Sequence, residues 1–393
     1  MSLKKHLGRQ LAAIKYGLKW RKPIFMARMA KFYLESFIVR KKQPLRYVDF
    51  AVDYSCNLKC AHCFMTSLKN PGGKRRLTID DYRRISKECI DMGAIHLSLQ
   101  GGEATLLKNL KEIVRSMSPN RVLFSITTNG TTITDGFSKD LLRMGVDQLN
   151  ISIDSFVPSE HDRFRGMKGA FGKTFSGLQS ARKAGLNVQV NTTFSKFNLY
   201  TPGCLALVDY CTENKIILNV VLAAPAGNWD ANMSATLDDD DMRTIRSIIQ
   251  SNPYVRQDMD SIELDRGCPA MKEAIYITPY GDVLCCPFIH VSFGNLHTES
   301  LQSIIDRALK YSFLETHAQR CLVADEHVFM DKYLSKTFGR NDLPASSEEI
   351  FGCHEQVRKD YPMPKRIVVP DSDAPGVVAS WRKKCIEHKS IGL

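Results

Sequence analysis

The sequence predicts an α/β protein built from repeated βα units, and three observations carry that prediction. Apolar, strand-like runs recur at spacings of roughly 25 to 45 residues, at residues 47–54, 95–99, 122–127, 148–153, 188–192 and 216–222. Amphipathic stretches such as 79–92 and 171–184 lie between them. Each run is followed by a short polar, glycine-rich or cysteine-bearing stretch, and the carboxyl ends of strands are where a parallel sheet or barrel collects its chemistry. The 393 residues suit two or three domains, and 44% hydrophobic with 24% charged residues excludes a chain that is mostly disordered or mostly membrane-embedded.

The first element is a basic arm. Residues 1–46 hold thirteen Lys and Arg against one acid, Glu35, so the arm carries the whole net charge of +12 and the rest of the chain is balanced. Leu3, Leu7, Leu11, Ile14 and Leu18 fall within about 80° of one another on a helix, with Arg9, Lys15 and Lys19 outside that stripe. A second apolar stretch, 24–39, is interrupted by Arg28, Lys31 and Glu35 and is too short and too charged to span a bilayer. The arm reads as an amphipathic helical extension that packs on the domain behind it, meets an anionic membrane face or contacts nucleic acid. It lacks the pattern of a compact winged helix, so no peptide-leader-binding domain is evident, and of the three readings nucleic acid is the least expected partner.

Twelve cysteines are about 3% of the chain, well below the density of a disulfide scaffold, and the start MSLKKHLGRQ has no secretory apolar core. A reducing, cytoplasmic setting follows, peripheral to the membrane if the arm binds there, and clustered cysteines then point to metal or redox chemistry. The cluster comes after the first strand, in SCNLKCAHCFM: Cys56, Cys60 and Cys63. Three thiolates in eight residues can hold three irons of a 4Fe–4S cluster and leave the fourth open to a small chelating ligand. The competing reading is a zinc site completed by His62 or a distant cysteine.

The later strand ends are also loaded. Strand two ends in Gln100, Gly101, Gly102 and Glu103, where glycine permits close backbone approach and a carboxylate can accept from an ammonium. Strand three ends in Thr127, Thr128, Asn129 and Gly130, although a turn-forming Asn-Gly explains Asn129 as well as a binding role does. Strand four ends in Ser152, Asp154 and Ser155, followed by Arg163 and Arg165; strand five supplies Asn191 and Thr192, and strand six runs into Pro225, Ala226 and Gly227.

With its Cys-x3-Cys-x2-Cys spacing and GGE one strand later, the sequence resembles the radical S-adenosylmethionine (SAM) superfamily from about residue 47 to about residue 300. The resemblance implies a partial (β/α)6 TIM-like barrel over 47–235, in which methionine chelates the open iron and an electron cleaves the sulfonium to a 5′-deoxyadenosyl radical that abstracts hydrogen. It implies that Cys56, Cys60 and Cys63 bind the cluster, that Gly101, Gly102 and Glu103 hold the methionine amino group, and that Ser152 and Asp154 meet the ribose. An arginine after strand four meets the carboxylate or ribose, with Arg163 favoured over Arg165, and Asn129 and Asn191 complete the pocket. A low-potential electron donor such as ferredoxin or flavodoxin is the implied partner.

After an acidic helix-prone linker, 236–260, the segment DRGCPAMKEAIYITPYGDVLCCPF reads as a β-hairpin preceded by Cys268 and closed by Cys285 and Cys286. It resembles the opening of the SPASM or Twitch extensions of radical SAM enzymes, which implies a small C-terminal α+β iron–sulfur domain over 261–393. The Gly281-to-Cys286 spacing favours Cys286 as ligand, and the dense cysteine run of a full SPASM domain is missing. The expected ligands of one auxiliary 4Fe–4S cluster are Cys268, Cys286, Cys321 and Cys353, with Cys285, His290 or His354 as alternatives. Cys89, Cys204, Cys211 and Cys385 read as inert buried thiols, and Cys285, if not a ligand, as a thiol able to give hydrogen to a product radical.

The expected function is dehydrogenation or epimerisation of a sugar, nucleotide-sugar or other small-molecule or lipid-linked substrate, drawn by the arm's charge. Peptide modification is the alternative, and a non-catalytic iron–sulfur or zinc protein on nucleic acid is the rival of another class.

Overall fold

The computed structural model describes residues 17–35, 45–70, 72–258, 267–354 and 365–387. Seven parallel strands follow one another: β1 (Tyr47–Ala51), β2 (His96–Gln100), β3 (Leu123–Thr128), β4 (Gln148–Ser152), β5 (Asn187–Phe194), β6 (Ile217–Leu222) and β7 (Val255–Gln257). Helices α1 (Pro23–Tyr33), α2 (Ile79–Asp91), α3 (Leu110–Ser116), α4 (Asp135–Met144), α5 (Pro158–Arg165), α6 (Ala170–Ala184), α7 (Pro202–Glu213) and α8 (Asp239–Ser251) precede and connect them. On the strands alternate residues, among them Val48, Phe50, Leu97, Leu99, Phe124, Ile126, Leu149 and Ile151, are buried in the core. At about 1.5–3 kcal/mol for each large apolar side chain, that burial is the main force closing the βα layers. Four of these helix starts carry side-chain caps, Thr78 at α2, Thr134 at α4, Thr201 at α7 and Asp238 at α8, those at α2 and α8 being reciprocal boxes with Asp81 and Asp241.

Four further strands extend the sheet from its other edge: β8 (Ala274–Ile277), β9 (Asp282–Leu284), β10 (Val291–Asn295) and β11 (Ala345–Ser346). The order is β11-β10-β9-β8-β1-β2-β3-β4-β5-β6-β7, with β8 parallel to β1 and β8–β9–β10 antiparallel. The C-terminal segment is thus no separate sheet beside the barrel. An open barrel leaves the backbone groups of β1 unpaired along one edge, and β8, four residues buried throughout, satisfies them. The end of the 261–393 segment returns to the barrel: helix Ala374–Glu387 buries Trp381, whose indole donates to the Leu199 carbonyl at 2.8 Å.

The described part of the basic arm packs on the barrel. Phe25 and Phe32 of α1 are buried, Lys22 pairs with Asp147 and donates to the Gly145 carbonyl at 2.9 Å, and Arg28 donates to the Ile90 and Ala94 carbonyls, each at 2.8 Å. The stripe from Leu3 to Ile14 lies outside the described residues. Among the described residues no helix is long and apolar enough to cross a membrane.

Candidate metal centre

The chain leaves β1 and runs directly into the loop that holds Cys56, Cys60 and Cys63, and all three thiols line one cavity at the carboxyl ends of the strands. Neighbouring backbone clamps the loop. Gly102 donates to Asp53 at 2.8 Å and Glu103 donates to Ser55 at 2.9 Å, while a Cβ on Gly102 would stand 2.0 Å from the Ser55 carbonyl oxygen. On the far side Asn228 donates through its backbone to the Cys63 carbonyl at 2.9 Å and through its side chain to that of Cys60 at 2.7 Å. Gly227, in the left-handed region at φ 66°, would place a Cβ 2.0 Å from the Cys63 carbonyl oxygen. Only glycine fits at either clamp.

Gly101, Gly102, Glu103, Asn129, Ser152 and Asn191 share the cavity with the thiols. Glu103 is a staple as much as a ligand: it accepts from the Thr105 hydroxyl at 2.6 Å, the Thr128 hydroxyl at 2.7 Å and the Asn129 amide at 2.7 Å, tying the tip of β2 to that of β3. Asn129 reaches across to Asn57 at 2.8 Å, so its side chain serves the cysteine loop and not the turn alone.

Two expectations need correction. Arg163 is exposed on α5 and takes no part in the cavity, whereas Arg165 is buried in its wall, with Nη1 at 3.8 Å from Cys60 Sγ and Nε in ion-pair contact with Asp154 Oδ2 at 2.6 Å. Asp154 stands one layer behind the cavity, holding Arg165 and accepting from the Thr193 amide at 3.1 Å. Burial pushes the Asp154 carboxyl up, but the Arg165 guanidinium above all, with the Thr193 amide, holds it below its ordinary value. His62 stacks on Phe164 with centroids 4.5 Å apart, and burial lowers it to about 4, so it lines the cavity as a neutral ring.

The cavity continues into a polar lumen that sequence reasoning missed. Tyr47, Asp49, Asn150 and Thr193, none of them singled out in the sequence, line it beside Gln100, Thr127 and the other expected residues. Farther round, Asn219 donates to Gln189 at 2.7 Å and to Asn191 at 2.9 Å, and Arg256 donates to Asn219 at 2.6 Å. Burial, then the charge of Asp258, raise Asp49 to about 7 against the lowering effect of the Tyr47 hydroxyl, which donates to it at 2.9 Å.

Of the second cysteine group, Cys268, Cys286 and Cys321 are half-buried within electrostatic range of one another. Cys353 does not join them as expected. It is exposed and stands by Tyr311, held at the surface by the turn that ends helix Ser347–Phe351. Cys286 leads into Pro287 and Phe288, which line the cavity of the first group, and the Phe288 ring lies 4.8 Å from that of Phe64.

The donor set fits an iron–sulfur cluster: three thiols face one cavity and a buried arginine stands against one of them. Among the described residues no three His, Cys, Asp or Glu side chains converge on a point suited to a single metal ion. A four-iron cube takes its ligands at separate corners and needs no such convergence.

Residues 54–198 match the radical SAM superfamily, and residues 268–322 match the SPASM iron-sulfur cluster-binding domain. The thiol trio beyond β1 in a parallel, partial barrel therefore belongs to a radical SAM protein. More particularly, the chain carries a radical SAM domain over 54–198 and a C-terminal SPASM domain over 268–322, and the cofactors of these domains are the SAM-binding cluster, SAM and an auxiliary iron–sulfur cluster.

The chain is 37% identical over 155 residues to the AdoMet-dependent heme synthase of Methanosarcina barkeri, covering 39% of this chain and 44% of that one. It is 25% identical over 302 residues to the antilisterial bacteriocin subtilosin biosynthesis protein AlbA of Bacillus subtilis, covering 73% of this chain and 64% of that one. Streptococcus suis SuiB bound to the precursor peptide SuiA shares the fold at a TM-score of 0.55 and 18% identity, over 70% of this chain and 68% of that one. The match spans 44% to 64% of these two curated relatives' own length.

Proposed function

We propose that this chain is a radical SAM enzyme that modifies a peptide, in place of the carbohydrate or lipid-linked substrate to which the basic arm pointed. One observation carries the choice: similarity to AlbA runs over 302 residues, 73% of the chain, whereas similarity to the heme synthase covers 39% of it. The fold shared with SuiB accommodates a precursor peptide in that protein. The charge argument for an anionic substrate weakens because Lys22 and Arg28 are engaged in docking α1.

When bound, the cluster and SAM supply a radical able to take hydrogen from an inert C–H bond. Cys56, Cys60 and Cys63 hold the cluster. Backbone at Gly101 and Gly102, with Glu103 behind it, holds the amino end of SAM, Arg165 its carboxylate, and Ser152, Asn129 and Asn191 the ribose; Asp154 acts through Arg165. The substrate lies between this pocket and the wall of Pro287 and Phe288, where aromatic rims and a polar lumen suit a peptide segment. Cys268, Cys286 and Cys321 hold the auxiliary cluster, which favours oxidative outcomes, dehydrogenation or crosslinking, over epimerisation. Electrons come from a low-potential donor such as ferredoxin or flavodoxin.

The test is anaerobic reconstitution with SAM and dithionite, followed by addition of a synthetic peptide encoded beside the gene. The expected products are 5′-deoxyadenosine and a peptide lighter by two hydrogens. No 5′-deoxyadenosine from protein with a full complement of iron supports the non-catalytic rival. Turnover of an iron coproporphyrin with the peptide untouched replaces the peptide reading.

A further inference from the structure

We infer that Asp325 is the fourth protein ligand of the auxiliary cluster, joining Cys268, Cys286 and Cys321. The inference rests on the auxiliary cluster of the proposed function and adds to it a ligand of another chemical type.

Its basis is the turn that begins at Cys321. The amides of Ala324, Asp325 and Glu326 donate to the Cys321 carbonyl at 3.2, 3.2 and 3.1 Å, and the Cys321 amide donates back to Asp325 Oδ1 at 2.6 Å. One carboxylate oxygen is therefore fixed against the backbone of a candidate ligand. The other, Oδ2, is buried with no hydrogen-bond partner, on a residue only 1% exposed.

The nearest cation does not satisfy it. Arg246 Nη2 stands 3.8 Å from Oδ2, outside hydrogen-bond reach, and Arg246 Nε and Nη1 are themselves buried without partners. Charged groups left in this state are costly, so a further group belongs beside them. An iron at Oδ2 gives that oxygen a partner, and a cluster carrying net negative charge gives Arg246 an anion. Asp325 lies within electrostatic range of both the Cys321 and Cys268 thiols. The other candidates fit less well: Cys353 is exposed beside Tyr311, and Cys285 is a core residue whose charged neighbours are Cys268 and Lys272. His290 is buried with no charged neighbour among its influences.

The test uses the full-length chain with Cys56→Ala, Cys60→Ala and Cys63→Ala, reconstituted anaerobically, and reads iron and sulfide content with EPR and Mössbauer spectra. In this parent about four irons remain, one of them with the Mössbauer signature of oxygen ligation. Asp325→Ala loses about one iron in four and on oxidation shows a 3Fe–4S EPR signal. Asp325→Cys restores the fourth iron with uniform sulfur ligation and a lower reduction potential, which also shows that the site still folds. Cys353→Ser and Cys285→Ser leave the spectra unchanged. Asp325 variants with the parent spectrum, or loss of the fourth iron in either cysteine variant, overturn the assignment. A parent without iron overturns the auxiliary-cluster reading, and the assignment with it.

Discussion

Arg163 and Arg165 sit two residues apart on α5, yet only one of them reaches the cavity. His161, Phe164 and Arg165 fall on one helical face and are buried, while Arg163 points away and is exposed. The choice was legible had the helical phase been applied: the apolar Phe164 marks the inner face, and Arg165 shares it. Arg165→Ala is expected to strand the buried Asp154 charge, lowering stability by about 3–5 kcal/mol and raising the KM for SAM at least tenfold in the 5′-deoxyadenosine assay, whereas Arg163→Ala leaves both within twofold. At Gly102 the limit is steric. Gly102→Ala drives a methyl into the Ser55 carbonyl, and iron bound after reconstitution should fall by at least half relative to the wild type.

Among the elements, the strands were legible as strands but not as lumen walls. HLSLQ and QLNIS alternate strictly, and the apolar half was read as core; of the polar half Gln100 and Ser152 were read as strand-tip residues, while Ser98 and Asn150 were left without a destination. In a barrel that half faces inward, which is why Asp49 was missed. Its carboxyl is raised from 3.8 to about 7, so the folded state binds the proton more tightly than the unfolded chain does. Stability is then fullest below about pH 4, falls as pH rises to about 7 and is level above. Denaturant unfolding of the cofactor-free protein should show Asp49→Asn gaining up to about 4 kcal/mol over the wild type at pH 8 and little at pH 4, at 1.36 kcal/mol per pKa unit. The arm makes an element-scale prediction of its own: Lys22→Met leaves Asp147 buried and unpaired, and should lower the unfolding free energy by about 3 kcal/mol or more in the same measurement.

For the whole molecule, the βα repeat and both cysteine groups could be read from local pattern, because spacing and periodicity live within a few dozen residues. The joining of the two parts could not. That β8 pairs with β1 across more than two hundred residues, that three-residue β7 closes the far edge, and that the last helix returns to cover α8 are outcomes of long-range pairing and burial. This continuity brings Pro287 and Phe288, which follow Cys286 directly, to the cavity of the first cysteine trio. The proposed function stands on this trio holding a cluster with one iron open to SAM. The direct measurement is the EPR spectrum of the anaerobically reconstituted, dithionite-reduced protein with and without SAM. A SAM-induced change of the signal that disappears in the Cys56→Ala, Cys60→Ala, Cys63→Ala variant is the result predicted; a spectrum indifferent to SAM, or zinc in place of iron at those thiols, contradicts it.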